Sequence, residues 1–257
     1  MILTSVHDLQ MPPRRVVSLV PSQTELLWFL GLENEVAGIT KFCVYPREWL
    51  EKKTIIGGTK NIHLDRVKGL DPDLVIANKE ENVKEQVEAL AEHYPVWVTD
   101  INDLEEALGM IRDVGQLTNR RIKAEQLAAA INQSFSEIEK IASLINTAYL
   151  IWRKPLMAVG ANTFIHDMLL RCGFHNIFGS RSRYFNITVE DLRQLNCQLL
   201  LLSSEPYPFK DLHIQELQVL LPGTKIMLVD GELFSWYGSR LLQSPKYFSR
   251  LIAEIKI

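Results

Sequence analysis

The sequence predicts an α/β protein of two lobes of like construction, each with a parallel sheet, joined by a long helical connection. Three observations carry this. First, a segment recurs: Leu64 to Ala77 and Val189 to Leu202 each open on an acid (Asp65, Glu190), run through a short helix closed by a Leu (Leu70, Leu195), and continue into an apolar strand. Second, strand and helix patterns alternate in both halves, the pattern of parallel sheets covered on both faces. Third, the stretch between the halves reads as helix alone.

In the first half, Arg15 to Val20 is a short apolar strand stopped by Pro21. Ser22-Gln23-Thr24-Glu25 has the S-x-x-E spacing of a capping box, so a helix is expected over Thr24 to Leu30, ended by Gly31. Glu35 to Thr40, Leu74 to Asn78 and Pro95 to Thr99 are further strands, with a charged amphipathic helix over Glu80 to His93. From Asn102 to Asn146 there is no Pro, and Gly109 and Gly115 are the only glycines. A continuous helix there would span roughly 65 Å, too long for a crossover within one lobe. It is expected to be a strut between lobes; the alternative is two helices joined by a turn at Gly115. In the second half, strands are expected at Leu156 to Val159, Leu199 to Ser203 and Lys225 to Val229. Helices are expected at Thr163 to Cys172, ended by Gly173, at Thr188 to Leu195, capped through Asp191, and for most of Ser239 to Ile257, where Pro245 is a candidate interruption. The expected organisation is a lobe over 1–100, a link over 101–147 and a lobe over 148–257. Two such lobes imply a ligand cleft between them.

Composition narrows the function classes. The 257 residues are 47% hydrophobic, with a formal net charge of −3, which leaves no basic footprint for nucleic acid. The 3 cysteines are scattered and contain no C-x-x-C, so buried free thiols are expected rather than disulfides or zinc. No run reaches the ~18 apolar residues of a membrane helix. Met1 to Asp8 lacks the basic and apolar regions of a signal peptide. As written, the chain is expected in the cytoplasm; the alternative is the periplasm, if a leader has been removed.

The strings Val17-Ser18-Leu19-Val20-Pro21-Ser22-Gln23-Thr24-Glu25, Leu30-Gly31-Leu32, Gly38-Ile39-Thr40 with Cys43 and Pro46, Gly57-Gly58, and Leu70-Asp71-Pro72-Asp73-Leu74-Val75 resemble one family. It is the class III periplasmic-binding-protein-like group with a helical backbone, which includes the vitamin B12-binding and iron-siderophore-binding receptors of ABC importers. The resemblance runs from about residue 14 to 255, and Asp230 to Arg240 looks like a subgroup labelled cobalamin- or iron-compound-binding. It implies two Rossmann-like lobes bridged by one helix, a ligand held in the cleft, and an acid on each lobe that docks on arginines of a permease. By position those acids are Asp65 and Glu190, where Asp65 stands for the family's Glu. Both also complement a helix N-terminus, which explains them without any partner.

The loops after the strands supply the candidate ligand contacts: Ser22, Gln23, Tyr45 and Lys60 from the first half, and Arg181, Arg183, Tyr184, Tyr207, Phe234, Trp236 and Tyr237 from the second. Aromatic rings offer flat apolar area with polar tips, suited to a large planar or macrocyclic ligand. Guanidinium groups pair with ligand carboxylates. Phe42 and Phe185 are expected to plug the lobe cores instead. Gly57-Gly58-Thr59-Lys60 lacks phosphate-loop spacing, and the Pro21 turn lacks the dinucleotide glycines. The 6 histidines form no H-E-x-x-H or close pair, so no metal site is expected; His63 and His166 would need a third ligand such as Asp230 or Glu205. Cys43 is expected as a packed thiol, and no G-x-S-x-G or acid–base pair is present.

The expectation is therefore a non-catalytic, monomeric binding protein for a metal chelate such as cobalamin, haem or a ferric siderophore, held without covalent attachment. An ABC permease is its expected partner, with neither nucleic acid nor membrane insertion. The alternatives are a cytosolic corrinoid or haem carrier without a permease, and an enzyme reusing the fold.

Overall fold

The computed structural model describes residues 1–139 and 144–255. The chain divides into two compact units. One comprises 1–100, 106–132 and 237–240; the other comprises 101–105, 133–236 and 241 onward. The segment expected as a separate link is thus shared between the two.

In the first unit the strands are β1 (Ile2–Leu3), β2 (Val16–Ser18), β3 (Val36–Ile39), β4 (Thr54–Ile55), β7 (Leu74–Asn78) and β8 (Val96–Thr99), with β5 (Gly57–Gly58) and β6 (Asn61–Ile62) forming a separate small hairpin. The helices are α1 (Pro21–Leu30), α2 (Arg47–Lys52), α3 (Leu64–Leu70) and α4 (Lys84–Ala91). The six-stranded sheet runs β1-β8-β7-β2-β3-β4, and every neighbouring pair is parallel. Central β7 is buried at every position, as a strand covered on both faces must be. Its side chains join Val17, Leu19, Val67, Val87 and Val96 in one core.

Helix α1 starts earlier than its capping-box spacing suggests. Pro21 occupies the first turn, where its fixed φ suits a helix, and the N-cap Val20 makes no side-chain cap. Ser22 is therefore inside the helix, and Glu25 turns to another partner. Gly31 ends the helix in the left-handed region, as expected.

The continuous strut does not form; the alternative of two helices joined by a turn does, with the turn just after Gly115. Two helices, α5 (Leu104–Leu117) and α6 (Arg121–Ser136), meet at a turn over 118–120. Asn119 takes a left-handed φ of 56°, Arg120 N–H donates to the Gly115 carbonyl at 2.6 Å, and Thr118 Oγ1 donates to Val114 O at 2.6 Å. A Cβ on Gly115 would lie 2.2 Å from the Ala124 Cβ, so only glycine lets the helices come this close. Arg112–Glu125 and Arg120–Glu35 ion pairs brace the turn. Of the expected helix, 140–143 lies outside the described residues, and Ile145 and Asn146 belong to a strand.

The second unit contains β9 (Ile145–Trp152), β10 (Leu156–Val159), β11 (Phe174–Asn176), β12 (Tyr184–Ile187), β13 (Leu199–Ser203) and β14 (Lys225–Val229). Its helices are α7 (Phe164–Arg171), α8 (Val189–Gln194), α9 (Asp211–Leu220), α10 (Gly231–Ser235) and α11 (Ser244–Ile255). Its sheet is mixed, not all-parallel as expected: β10 runs antiparallel to both β9 and β12, while β11, β9, β13 and β14 pair in parallel. The cause is the short connection at 153–155, which can only join antiparallel strands. Pro245 sits in the first turn of α11 and does not break it.

The repeated segment is visible in both units. Asp65 and Glu190 are each the second residue of a short helix, α3 and α8, and each helix leads into a wholly buried interior strand, β7 and β13.

Candidate functional site

Parallel strands bring their C-terminal ends to one edge, and the loops that leave that edge hold the chemistry. In the first unit these are the β2–α1 turn and the segments following β3, β4, β7 and β8. A polar network ties them together. Gln23 Nε2 donates to Thr99 Oγ1 at 2.6 Å, and Asn78 Nδ2 donates to Thr99 O at 3.0 Å. Asn82 accepts from Asn78 N–H at 2.8 Å and donates to Leu19 O at 3.3 Å and Thr59 O at 3.1 Å. Sequence reasoning missed Asn82 and Thr99; Thr99 ends the apolar strand β8, a position that could have flagged it, while Asn82 lies four residues past β7 and carried no such signal.

At the β3 and β4 ends lies a pocket of about 360 Å³, lined by Lys41, Phe42, Gly58, Thr59, Lys60, Asn61 and His63. Gly57 holds the turn beneath it at φ 111°, where a Cβ would fall 2.4 Å from Asn61 O. Lys60 Nζ donates to the Glu80 carbonyl. Phe42, expected as a core plug, is instead 50% exposed in this pocket. The tight turn carrying Cys43 N–H back to Thr40 O turns Cys43 inward and leaves its neighbour out.

Residues 237–240 return from the far end of the chain to this unit. Arg240 Nε donates to Glu25 Oε2 at 3.0 Å, both side chains being 10% exposed, and its guanidinium lies 4.2 Å from the Tyr45 ring centre. Desolvation raises the Glu25 pKa, and Arg240 opposes this. Tyr237 is buried, and burial lifts its phenol well above the usual range; Glu81 and Glu80 add to the lift, while Ser22 and Gln23 act against it. Ser22 and Gln23 are themselves buried. Half-buried Tyr45 and exposed Lys60 are the more accessible of the expected contacts. Cys43 is a packed thiol: Thr24 Oγ1 donates to its Sγ at 3.1 Å, Thr40 Oγ1 lies at 3.2 Å, and desolvation raises its pKa. A thiol so held is a poor nucleophile.

In the second unit, Arg181 is exposed, with its guanidinium 3.6 Å above the Phe185 ring. Phe185 packs on Phe178 and the core, as expected. Arg183 and Tyr184 are half-buried at the start of β12, Arg183 at a left-handed φ of 61°. Tyr207 packs between Trp152, Phe209 and His213 and so leans on the core. Trp236 Nε1 and Ser235 Oγ both donate to Glu205 Oε1, at 3.1 and 2.6 Å. Phe234, expected as a ligand contact, is wholly buried among Tyr149, Tyr247 and Phe248 and presents no surface. It lies on the inward face of α10, which its position in a loop string did not reveal. His166 takes part in a local contact, its Nδ1 lying 3.0 Å from Asn176 Nδ2, and burial lowers its pKa. Among the described residues no three His, Cys, Asp or Glu side chains come together as a metal site.

An all-parallel first sheet, a second sheet with a parallel core, and polar and aromatic loops at strand ends define an α/β protein whose strand-end loops suit a small-molecule ligand. Comparison with known proteins gives the same class. The periplasmic binding protein family matches residues 16–218, and the chain belongs to it. Members of this family bind solutes, and the chain is a non-catalytic binding protein. It is 28% identical over 196 residues to the "Uncharacterized ABC transporter substrate-binding lipoprotein YvrC" of Bacillus subtilis, a match covering 72% of this chain and 62% of that protein. It is 23% identical over 256 residues to the vitamin B12-binding protein of Pectobacterium atrosepticum, covering 95% and 90%. Among solved structures, the periplasmic haem-binding protein HutB of Vibrio cholerae shares the fold with a TM-score of 0.79 at 18% identity, covering 95% of this chain and 99% of that one. The vitamin B12-binding protein BtuF of the same organism does so with a TM-score of 0.75 at 16% identity, covering 95% and 98%.

Proposed function

We propose that this protein is the receptor for a metal chelate of corrinoid, haem or siderophore type and hands it to an ABC permease. The observation that carries the reading is the family match across both units, whose relatives are named for such ligands. The loops at the C-terminal strand ends fit it. Within the first unit Tyr45 and Lys60 are the accessible candidate contacts, while Ser22, Gln23 and Tyr237 are buried; within the second the candidates are Arg181, Arg183, Tyr184 and Tyr207, while Trp236 is buried. Asp65 and Glu190 are exposed at matching positions of α3 and α8 and would meet the permease. No helix among the described residues is long and apolar enough to cross a membrane. Relatives named as lipoprotein or periplasmic support work outside the cytoplasm over the cytoplasmic expectation.

The test is calorimetric titration of the purified protein with cyanocobalamin, haemin and a ferric hydroxamate. Saturable one-to-one binding of at least one ligand is the expected result. Failure of all three removes the ligand class.

A further inference from the structure

The lining of the pocket at the β3 and β4 ends carries two lysines and no acid. Lys41 Nζ stands over the Phe42 ring, 5.1 Å from its centre, so a positive charge lies against one face of an apolar ring in the pocket wall. Gly58 keeps them close: a Cβ there would lie 3.1 Å from Phe42 Cε2 and 3.5 Å from Lys41 Cε. The bond from Lys60 Nζ to the Glu80 carbonyl anchors the second ammonium without neutralising it. Glu81 acts on Lys60 through space but does not line the pocket. Thr59 and Asn61 add small polar groups to the rim.

Ammonium groups beside an apolar plane match a ligand that is flat and anionic at its edge. A ligand whose periphery is neutral amide would leave both charges partly desolvated with nothing in return. We propose that this pocket selects a planar chelate bearing carboxylates, so that haem-type ligands bind in preference to amide-rimmed corrinoids and neutral ferric hydroxamates. The inference rests on the solute-binding reading above and names the ligand chemistry within it.

The test compares four probes on the full chain: haemin, its dimethyl ester, cyanocobalamin and ferrichrome. Affinities are read by absorbance titration and calorimetry, with both porphyrins added from the same co-solvent. The expected result is that haemin binds most tightly and its ester at least about tenfold more weakly, the scale of losing a pair of charge-assisted contacts. The double variant Lys41→Gln/Lys60→Gln should lose about tenfold or more for haemin and nothing for the ester, while Lys41→Arg/Lys60→Arg stays within about threefold. Circular dichroism of each variant checks that the fold is kept. Equal binding of haemin and ester, an unchanged double variant, or tighter binding of cyanocobalamin or ferrichrome overturns the selection and leaves the receptor reading standing. Failure of all four probes ends both.

Discussion

The α3–β7 segment of the first unit and the α8–β13 segment of the second are one design with different beginnings. Their strands are alike: five residues each, wholly buried, with a paired strand on either side. Their helix starts are not. Thr188 and Asp191 form a full capping box on α8, with Thr188 N–H donating to Asp191 Oδ2 at 2.7 Å and Asp191 N–H to Thr188 Oγ1 at 3.2 Å. Helix α3 begins at His63 with no side-chain cap. Glu190 pairs with Arg193 at 3.1 Å, whereas Asp65 stands exposed with no ion pair among the described residues. The lesson is that burial holds the repeated part constant, while the exposed start of each helix is left to vary.

The sharpest way to break this likeness lies in the buried strands. Leu200→Ala in β13 should cost about 2–5 kcal/mol, and Val75→Ala in β7 somewhat less because fewer methyl groups are lost. Urea denaturation reads both; a loss under about 1 kcal/mol at Leu200 would mean that the strand is not the packed centre described.

A second test asks what holds 237–240 in the first unit. Arg240→Met leaves Glu25 buried without its partner, which should cost about 3 kcal/mol near neutral pH. The sign with pH follows from the raised Glu25 pKa, which rises further once the cation is gone. A group raised in the folded state favours folding below its unfolded value, so the variant should recover stability as pH falls through the raised pKa. The double variant Glu25→Leu/Arg240→Met should lie near wild type. A pH-independent loss in Arg240→Met would show that packing on Tyr45, not charge, is at stake.

The smallest effects lie at the helix starts. Thr188→Ala should cost about 1 kcal/mol, and His63→Ser should gain a few tenths by supplying the cap that α3 lacks. Thr188 backbone and side-chain bonds hold the Asp191 carboxyl below the ordinary carboxylate range, so its contribution is present above the unfolded pKa and lost as pH falls through the folded one. Thr188→Ala removes the side-chain bond and keeps the larger backbone one, so it should flatten the acid limb of stability against pH only in part, while Asp191→Asn should flatten it further; a limb unchanged in Asp191→Asn would remove this carboxylate from the account.

Much of the fold was legible along the chain. β7, β10, β13 and β14 occupy the expected residues, because runs of apolar and β-branched residues between breakers have few other uses. Gly31 and Gly173 end their helices as read, with φ of 85° and 83°. The two-residue strands β1 and β4 were not legible, since so short a strand has no period of its own and forms only against a neighbour. Nor was β9, whose first residues continued the apolar pattern of the preceding helix.

The site divides in the same way. Local sequence determined which loops follow strands, the pairing of Thr188 with Asp191, and the matching of Asp65 with Glu190, because each depends on neighbours a few positions apart. Tertiary structure alone decided that Glu25 serves Arg240 and not a cap, that Phe42 faces outward while Phe234 is sealed in, and which of the two readings of 102–146, strut or turn at Gly115, prevails. Each of these turns on a contact with a distant residue or on space that a neighbouring element fills, and residue order alone does not specify which distant groups will meet.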